Sequence, residues 1–118
     1  MRHKVDRRRL GLPTDQRLAL LRNLVRDLLI HGEVATTLIR AKEARRLAEK
    51  VVRRSKIDTV HSRRMVRRII EDEDVINSLF TEIAARFSDR EGGYTQIIRK
   101  SFRRRGDGSP LAILKLME

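Results

Sequence analysis

The sequence is poor in residues that build cross-linked, metal-bound or membrane-spanning proteins. It contains no cysteine and no tryptophan, and its only aromatic residues are three phenylalanines and one tyrosine. Because cysteine is absent, disulfide bonds and thiolate metal sites such as zinc fingers are excluded, which is compatible with a reducing cytosol. No run approaches the ~18 apolar residues of a membrane span, and no apolar stretch follows the basic N-terminus as in a secretory signal. We therefore expect a soluble, cytoplasmic protein that contacts no membrane.

Groups that perform catalysis are also scarce and scattered. The histidines, His3, His31 and His61, form no pair at the i,i+4 spacing that would place two metal ligands on one helix face. The chain has no phosphate-binding glycine-rich loop followed by lysine, and no nucleophile elbow. The acidic run 71–74 is consistent with a divalent-cation site or with a helix start, and we favour the helix start because carboxylates complement the helix dipole there. We predict no enzyme activity, no metal site and no cofactor.

Length and composition indicate one modest core under a highly charged surface. A chain of 118 residues has the ordinary size of a single domain. Charged residues make up 37% of the chain, well above the ~25% of typical soluble proteins. Residues 1–12 show no apolar periodicity and carry many basic side chains. The sequence therefore predicts an extended basic arm over residues 1–12 and a single compact domain over residues 13–118.

The charge is separated into blocks along the chain. The 28 lysine and arginine residues outnumber the 16 acidic residues, for a net charge of +12. The net charge is +4 over residues 1–12, 0 over 13–39, +9 over 40–70, −5 over 71–91, +5 over 92–105 and −1 over 106–118. Blocks of one sign repel themselves unless a polyanion neutralises them, so this separation indicates a polyanionic partner. The acidic block is expected to turn away from that partner.

Apolar residues at spacings of three and four predict the first helix. Its stripe comprises Leu18, Leu21, Leu24, Val25, Leu28 and Leu29. We expect Thr14 to be the N-cap, Asp15 to complement the helix dipole in the first turn, and Gly32 to end the helix. Residues 33–37 are too few for a helix and contain valine and threonine, so they predict a short strand.

The strongly basic middle of the chain predicts two more helices. One begins at Leu38 with Thr37 as its cap, and its Glu49 is spaced as an i,i+4 ion pair with both Arg45 and Arg53. Such pairs give about 0.3 kcal/mol each in an isolated helix, so most of the twelve basic residues in 40–70 need another purpose. The other spans residues 59–70, with inward side chains at Met65, Val66, Ile69 and Ile70 and outward side chains at Arg63, Arg64, Arg67 and Arg68.

The last part of the chain predicts a fourth helix and a hairpin. The acidic residues 72–74 open a helix with an apolar stripe of Ile76, Leu79, Phe80, Ile83 and Phe87. Residues 94–104 and 111–117 predict two antiparallel strands joined by a glycine-containing turn. The fold class that follows is α+β, with four helices packed on a small mixed sheet, a C-terminal β-hairpin and an extended basic N-terminal arm.

The shortage of aromatic rings indicates how a nucleic acid would be recognised. Proteins that read single strands stack bases on exposed rings, and here Phe80 and Phe87 already belong to an apolar stripe. Contacts to phosphate and sugar are therefore favoured over base stacking, with local RNA structure supplying specificity. Tyr94, beside two glycines, is the one ring that we expect at RNA. The arginines of the arm suit phosphate through their planar guanidinium groups, and a merely solvated tail is the alternative for the arm.

Several short strings in the chain resemble one known family in register. They are Met1-Arg2-His3, Arg22-Asn23-Leu24, Thr36-Thr37 followed by Ala41-Lys42-Glu43, Gly92-Gly93-Tyr94-Thr95, and Arg105-Gly106-Asp107-Gly108. On these strings the chain resembles the bacterial large-subunit ribosomal protein L17 family over residues 1–118. The resemblance implies a structural protein of the ribosome, present in one copy, that binds large-subunit rRNA near the exit of the nascent-polypeptide tunnel. It also implies neighbouring large-subunit ribosomal proteins as partners and neither catalysis nor a small-molecule substrate.

The predicted rRNA-binding residues combine the basic blocks with positions taken over from the resemblance. The resemblance itself implies RNA-facing roles for the start of the arm, for the Thr36-Thr37 and Lys42 segment and for the Gly92-Gly93-Tyr94 loop, where glycine would let RNA approach the backbone closely. The complete predicted set is Arg2, His3, Lys4, Arg7, Arg8, Arg9, Arg17, Arg22, Thr36, Thr37, Lys42, Arg45, Arg46, Gly92, Gly93, Tyr94, Arg103, Arg104 and Arg105.

Two other functions remain open on the sequence alone. A free-standing nonspecific nucleic-acid-binding protein or RNA chaperone would carry similar charge, but it would bind duplex DNA with comparable affinity and would lack a fixed RNA site. An RNA-processing enzyme is the least favoured function, because it requires clustered histidine, lysine and acidic side chains that the sequence does not provide.

Overall fold

Residues 10–117, the part of the chain that the computed structural model describes, form four helices and three strands. In chain order these are α1 (Thr14–His31), β1 (Glu33–Thr37), α2 (Leu38–Ser55), α3 (Val60–Arg67), a fourth helix, β2 (Thr95–Arg103) and β3 (Pro110–Leu116). The fourth helix consists of α-helical Glu73–Ser78, π-helical Leu79–Ile83 and α-helical Ala84–Arg86, and we call residues 73–86 α4. The predicted α+β fold is confirmed. The predictions for residues 1–9, including those for Arg2, His3, Lys4, Arg7, Arg8 and Arg9, lie outside the described residues.

Helix α1 starts directly after a proline and ends at a glycine. Pro13 occupies the N-cap position with φ −56° and ψ 156°, and its carbonyl oxygen accepts the first helical hydrogen bond from Arg17 N at 2.9 Å. The predicted N-cap at Thr14 is therefore wrong, because Thr14 is already the first helical residue. Gly32 ends the helix as predicted: its φ is 82°, in the left-handed region, and its N–H donates to the Leu28 carbonyl at 2.8 Å.

The three strands form one antiparallel sheet in the order β1-β3-β2. The β2–β3 hairpin is confirmed, whereas the expected mixed sheet is not, because β3 lies in the centre and runs opposite to both neighbours. Pairing of β1 with β2 would have been parallel, and the sequence did not indicate which strand β1 joins. The register places Val34 and Ile97 on either side of Leu114. Strand β1 ends at Thr37, which occupies the N-cap position of α2 as predicted, although its side chain makes no capping hydrogen bond to the described residues.

The core lies between the helices and one face of the sheet. Every predicted stripe residue of α1 is buried except Leu18, which is exposed at the edge of a groove between α1 and α2. Short buried side chains at Ala41, Ala44 and Ala48 let α2 pack closely on the core. The remaining buried apolar side chains include Val66, Ile70, Ile76, Leu79, Phe80, Ile83, Phe87, Ala112, Leu114 and Leu116. The predicted inward stripe of α4 is therefore confirmed.

Side chains cap the two helices that follow α2. Thr59 Oγ1 accepts a hydrogen bond from Ser62 N at 3.1 Å, and Asp72 Oδ1 accepts one from Asp74 N at 3.0 Å. The acidic run thus opens α4, as favoured from the sequence. Across residues 10–117, no group of three His, Asp or Glu side chains is placed to hold a metal ion. None of the helices in this range is long and apolar enough to cross a membrane.

Candidate nucleic-acid interface

The groove between α1 and α2 gathers basic side chains from both helices. Arg17 and Arg22 line it from α1, and Arg46 and Lys50 line it from α2. We call the cleft lined by these four cations the helical groove. They converge because the apolar stripe of α2 faces the core, so residues spaced four apart on its other side share the solvent face. The groove also contains one acidic residue, Glu43, whose Oε1 lies 3.6 Å from Arg46 Nη1.

A second basic surface lies where β1, the start of α2 and the hairpin meet. Its polar lining residues are Thr36, Thr37, Arg40, Lys100 and Arg104, which we call the hairpin surface. A neighbouring depression shares Thr37, Arg40 and Arg104 and is also lined by Leu10, the first described residue. The predicted basic arm is therefore joined to the domain beside this surface. Two threonines from the predicted set and one predicted arginine come together here with two cations that the sequence did not single out.

Part of the charge of the hairpin is used to hold its turn. Arg104 Nε donates to Asp107 Oδ1 at 3.1 Å, and Ser109 N donates to the same oxygen at 3.0 Å. The Arg104 guanidinium, together with the Ser109 N–H, holds the pKa of Asp107 well below its usual range. Arg103 Nη1 donates to the Gly108 carbonyl at 3.2 Å. Arg105 makes no such contact with residues 10–117, so its positive charge is not paired within the described part of the chain.

The loop that precedes β2 is anchored to α2 by one carboxylate. Glu49 Oε2 accepts from Tyr94 N at 3.1 Å, and Glu49 Oε1 accepts from Thr95 N at 2.9 Å and from Thr95 Oγ1 at 2.7 Å. The expected i,i+4 pairs of Glu49 with Arg45 and Arg53 are therefore wrong within the described structure. Three donors that are fixed by the start of a strand satisfy this carboxylate better than flexible surface guanidinium groups do.

Tyr94 is a core residue, and its expected position at RNA is corrected by the structure. Its side chain is 1% exposed. The ring lies edge-on to Phe87 with 5.3 Å between the ring centroids, and its hydroxyl group donates to the Arg90 carbonyl at 3.2 Å. Lys56 Nζ lies 5.5 Å from the ring centroid. A ring enclosed in this way has no free face on which a base could stack.

The other predicted positions lie apart from the two basic surfaces. Lys42 and Arg45 line neither the helical groove nor the hairpin surface. Gly92 and Gly93 are exposed, with open space where a Cβ atom would lie. Gly93 has φ 67°, and its carbonyl accepts from Arg90 Nη1 at 2.9 Å. The left-handed backbone of Gly93 gives a local reason for glycine there, whether or not RNA approaches.

Some of the positive charge of α1 and α3 is neutralised by ion pairs within the chain. The ion pairs are Arg63 Nε with Asp58 Oδ1 at 2.7 Å, Arg67 Nε with Glu73 Oε1 at 2.7 Å, and Arg26 Nη2 with Asp72 Oδ2 at 3.3 Å. Hydrogen bonds from these guanidinium groups lower the pKa of Asp58 and of Glu73. The arginines of α3 therefore partly face the acidic start of α4, which reduces the charge that this helix offers to a partner.

Sequence reasoning missed Arg40, Lys50 and Lys100. Lys50 could have been found, because it lies four residues after Arg46 and so shares its helix face. Arg40 and Lys100 come together only through the pairing of β1 with β3 and of β3 with β2. Such long-range register leaves no periodic signal in the sequence.

Comparison with known proteins finds relatives over nearly the whole chain. The family model described as ribosomal protein L17 matches residues 20–117. A large ribosomal subunit protein bL17 from Clostridium beijerinckii is 50% identical over 110 residues, which cover 93% of this chain and 96% of the relative. The bL17 protein of Coprothermobacter proteolyticus is 46% identical over 115 residues, covering 98% and 97% of the two chains. The bL17 protein of a Thermoanaerobacter species is 49% identical over 110 residues, covering 93% and 97%. These matches confirm the resemblance, and the chain belongs to the ribosomal protein L17 family.

Proposed function

We propose that this chain is a structural constituent of the bacterial large ribosomal subunit, present in one copy and located with the ribosome in the cytoplasm. It binds large-subunit rRNA near the exit of the nascent-polypeptide tunnel, beside other large-subunit proteins, and performs no catalysis. The observation that carries the proposal is the convergence of cations from separate elements into the helical groove and the hairpin surface, on a chain of the L17 family. The relatives are large ribosomal subunit proteins, which supports assignment to the large subunit.

The two basic surfaces bind phosphate in different ways. The helical groove has Arg17 and Arg22 on the α1 side and Arg46 and Lys50 on the α2 side, with Glu43 as its one carboxylate, so a phosphate backbone there meets cations from both helices. The hairpin surface projects charge from a β-turn, and the basic arm is joined beside it at Leu10. Arginine binds phosphate oxygens through its planar fork, which positions the protein on RNA without reading bases. The exposed acidic residues of α4 repel phosphate, so α4 turns toward solvent or a basic protein neighbour.

The salt dependence of rRNA binding tests the electrostatic core of the proposal. If six to ten phosphates are neutralised, log K against log salt slopes by roughly −4 to −9 for the full chain on protein-free large-subunit rRNA. A nearly flat slope would contradict the proposal. Equal affinity for duplex DNA would instead favour a free-standing nonspecific binder.

Placement in the ribosome is tested in cells and in purified subunits. We expect the cellular protein to co-sediment persistently with the large subunit, whereas a free pool would favour the free-standing alternative. Crosslinking of the chain within purified large subunits identifies the contacted nucleotides and neighbouring proteins together. Crosslinks to nucleotides and proteins distant from the tunnel exit would overturn the proposed location.

A further inference from the structure

Phe102 is the exposed aromatic ring of this protein. All of the phenylalanines and the tyrosine lie within the described residues, and Phe80, Phe87 and Tyr94 are buried, whereas Phe102 is 62% exposed. Burying a phenylalanine side chain contributes roughly 1.5–3 kcal/mol relative to leaving it in water. Phe102 does not contribute this burial free energy to folding, so its ring is available to a partner.

An irregularity in the pairing of β2 with β3 places this ring beside the hairpin turn. Arg99 pairs with Ala112 on β3, but the next recorded pair joins Arg103 to Pro110. Residues 100–102 of β2 thus lie opposite Leu111 alone, so β2 holds two more residues than β3 across this stretch. Bulges of this kind bend the strand and re-aim its side chains, and they are frequent beside functional sites.

The charge around the ring fits a polyanion. Residues 99–105 contain five basic residues and no acidic one. Lys100 Nζ lies 5.6 Å from the centroid of the Phe102 ring. Asp107, the next acidic residue along the chain, is already paired with Arg104. The core of a protein interface is depleted in charge, and lysine in particular is disfavoured there. An RNA strand offers a flat base to the ring and phosphates to the adjacent cations, so it uses both features.

We propose that Phe102 stacks on the base of one unpaired rRNA nucleotide while Lys100 binds a flanking phosphate. This inference rests on the proposed function and names a subsite within it. The base must be unpaired because the faces of paired bases are covered by their neighbours in the helix. Phe102 therefore takes the role that the sequence suggested for Tyr94, and base stacking adds to the phosphate contacts.

Affinity measurements on the full chain test the role of the ring. With protein-free large-subunit rRNA, we expect Phe102→Ala to weaken binding about 5- to 150-fold, from the usual effect of removing one stacked ring. Phe102→Trp keeps a π face and binds within about threefold of wild type. The matched control is Ile30→Ala, which truncates another exposed apolar side chain, on α1, and leaves affinity unchanged. Because the Phe102 ring is exposed, Phe102→Ala keeps the far-UV circular dichroism spectrum and the melting temperature of wild type.

Three further measurements separate stacking from other contacts. Phe102→Leu keeps apolar volume but loses the π face, so it weakens binding nearly as much as Phe102→Ala. The salt slope of Phe102→Ala stays that of wild type because no charge is removed, whereas Lys100→Ala lowers the magnitude of the slope by about 0.7–0.9. With rRNA containing 4-thiouridine, the expected crosslinked tryptic peptide is Ser101-Phe102-Arg103, released by cleavage after Lys100 and Arg103.

The possible outcomes distinguish this inference from the proposed function. If wild type binds rRNA with the expected salt slope and Phe102→Ala binds equally well, the stacking inference is wrong and the proposed function stands. If wild type binds without salt dependence, both fail. Wild-type affinity for Phe102→Leu overturns stacking in favour of a simple apolar contact. Normal rRNA affinity of Phe102→Ala with impaired incorporation into subunits overturns it in favour of a protein partner.

Discussion

At the scale of single residues, two carboxylates hold the loops at either end of β2. Glu49 accepts hydrogen bonds from the backbone at Tyr94 and Thr95, where β2 begins. Asp107 accepts from Arg104 and Ser109 in the turn that follows β2. A charged acceptor with several donors stabilises one loop conformation more strongly than a neutral hydrogen bond does. These two side chains therefore fix where the hairpin starts and how it turns.

We expect Glu49→Gln to lower the free energy of unfolding by about 1–3 kcal/mol, because its amide group would face the Tyr94 N–H with a donor and leave that N–H unpaired. Urea denaturation followed by circular dichroism measures the change in midpoint. Asp89→Asn, at an exposed position with no described partner, is the matched control and stays within about 0.5 kcal/mol of wild type. Identical midpoints for wild type and Glu49→Gln would show that the carboxylate does not anchor the loop.

The Arg104 guanidinium is the main cause of the lowered pKa of Asp107. We expect Arg104→Gln to raise this pKa toward the ~3.9 of an unperturbed aspartate, as measured by NMR titration of the carboxyl carbon. Since the folded-state pKa is lowered, the contact stabilises the turn above the unfolded pKa and is lost as pH falls through the folded pKa. Arg105→Gln removes the same charge one residue away and leaves the pKa low. An equal rise in both variants would point to the general field of the hairpin instead of the Arg104 contact.

At the scale of secondary-structure elements, α2 connects the core to the proposed RNA surface. One side of the helix is a buried stripe that includes Ala41, Ala44 and Ala48, and the other contributes Arg46 and Lys50 to the helical groove. Burial of the stripe fixes the rotation of the helix, and rotation decides which cations face outward. Helix α3 differs, because its Arg63 and Arg67 pair with acidic residues of the same chain. Arginines on the two helices thus do not offer the same charge to the proposed RNA partner.

This difference between the helices predicts unequal effects of removing two charges. We expect the double variant Arg22→Gln with Lys50→Gln to reduce the magnitude of the salt slope on large-subunit rRNA by about 1.5, because Arg22 and Lys50 each neutralise a phosphate. Arg63→Gln with Arg67→Gln removes the same net charge and leaves the slope nearly unchanged, since both guanidinium groups already face carboxylates. Equal reductions in both double variants would show that total charge, and not its placement, sets the affinity.

At the scale of the whole molecule, the basic surfaces and the acidic block draw on different elements but meet at Arg22, which also lines a depression with Glu71 and Asp72. The helical groove and the hairpin surface draw cations from α1, α2 and the hairpin, whereas the acidic block follows α3 and opens α4. Under the proposed function, repulsion between phosphate and the acidic start of α4 favours orientations in which the two basic surfaces meet RNA. The hairpin surface also lies beside Leu10, the first described residue.

Deletion of residues 2–9 tests whether the arm contributes to folding of the domain or to incorporation into the large subunit. All of the helices and strands described here lie within residues 14–116, so we expect helix content to stay nearly constant. Incorporation into the large subunit should weaken, because the deletion removes five basic residues and one acidic residue. A full-length variant with the five basic residues replaced by glutamine separates charge from length and should weaken incorporation similarly. Unfolding of the truncated chain would mean that the arm belongs to the core.

Local patterns predicted the elements of this fold well. The stripe from Leu21 to Leu29, the stop at Gly32 and the stripe of α4 were all readable, because helical periodicity and glycine conformation act over a few residues. The same reasoning was wrong for Glu49 and Tyr94. In the sequence these residues look like a surface carboxylate and a loop ring, and only the approach of α2 to the start of β2, 45 residues away, makes them an anchor and a core residue.

Composition and short strings were enough to establish the separation of charge, the order of the elements and the resemblance to one family, because they need no knowledge of distant contacts. Tertiary structure alone decided which cations are neutralised internally, which converge into the helical groove and the hairpin surface, and which ring stays in solvent. The physical reason is that neutralisation and exposure depend on distances between residues far apart in the chain. Phe102 shows this directly, because only the register of β2 against β3 and the burial of the other rings reveal it as the exposed aromatic side chain.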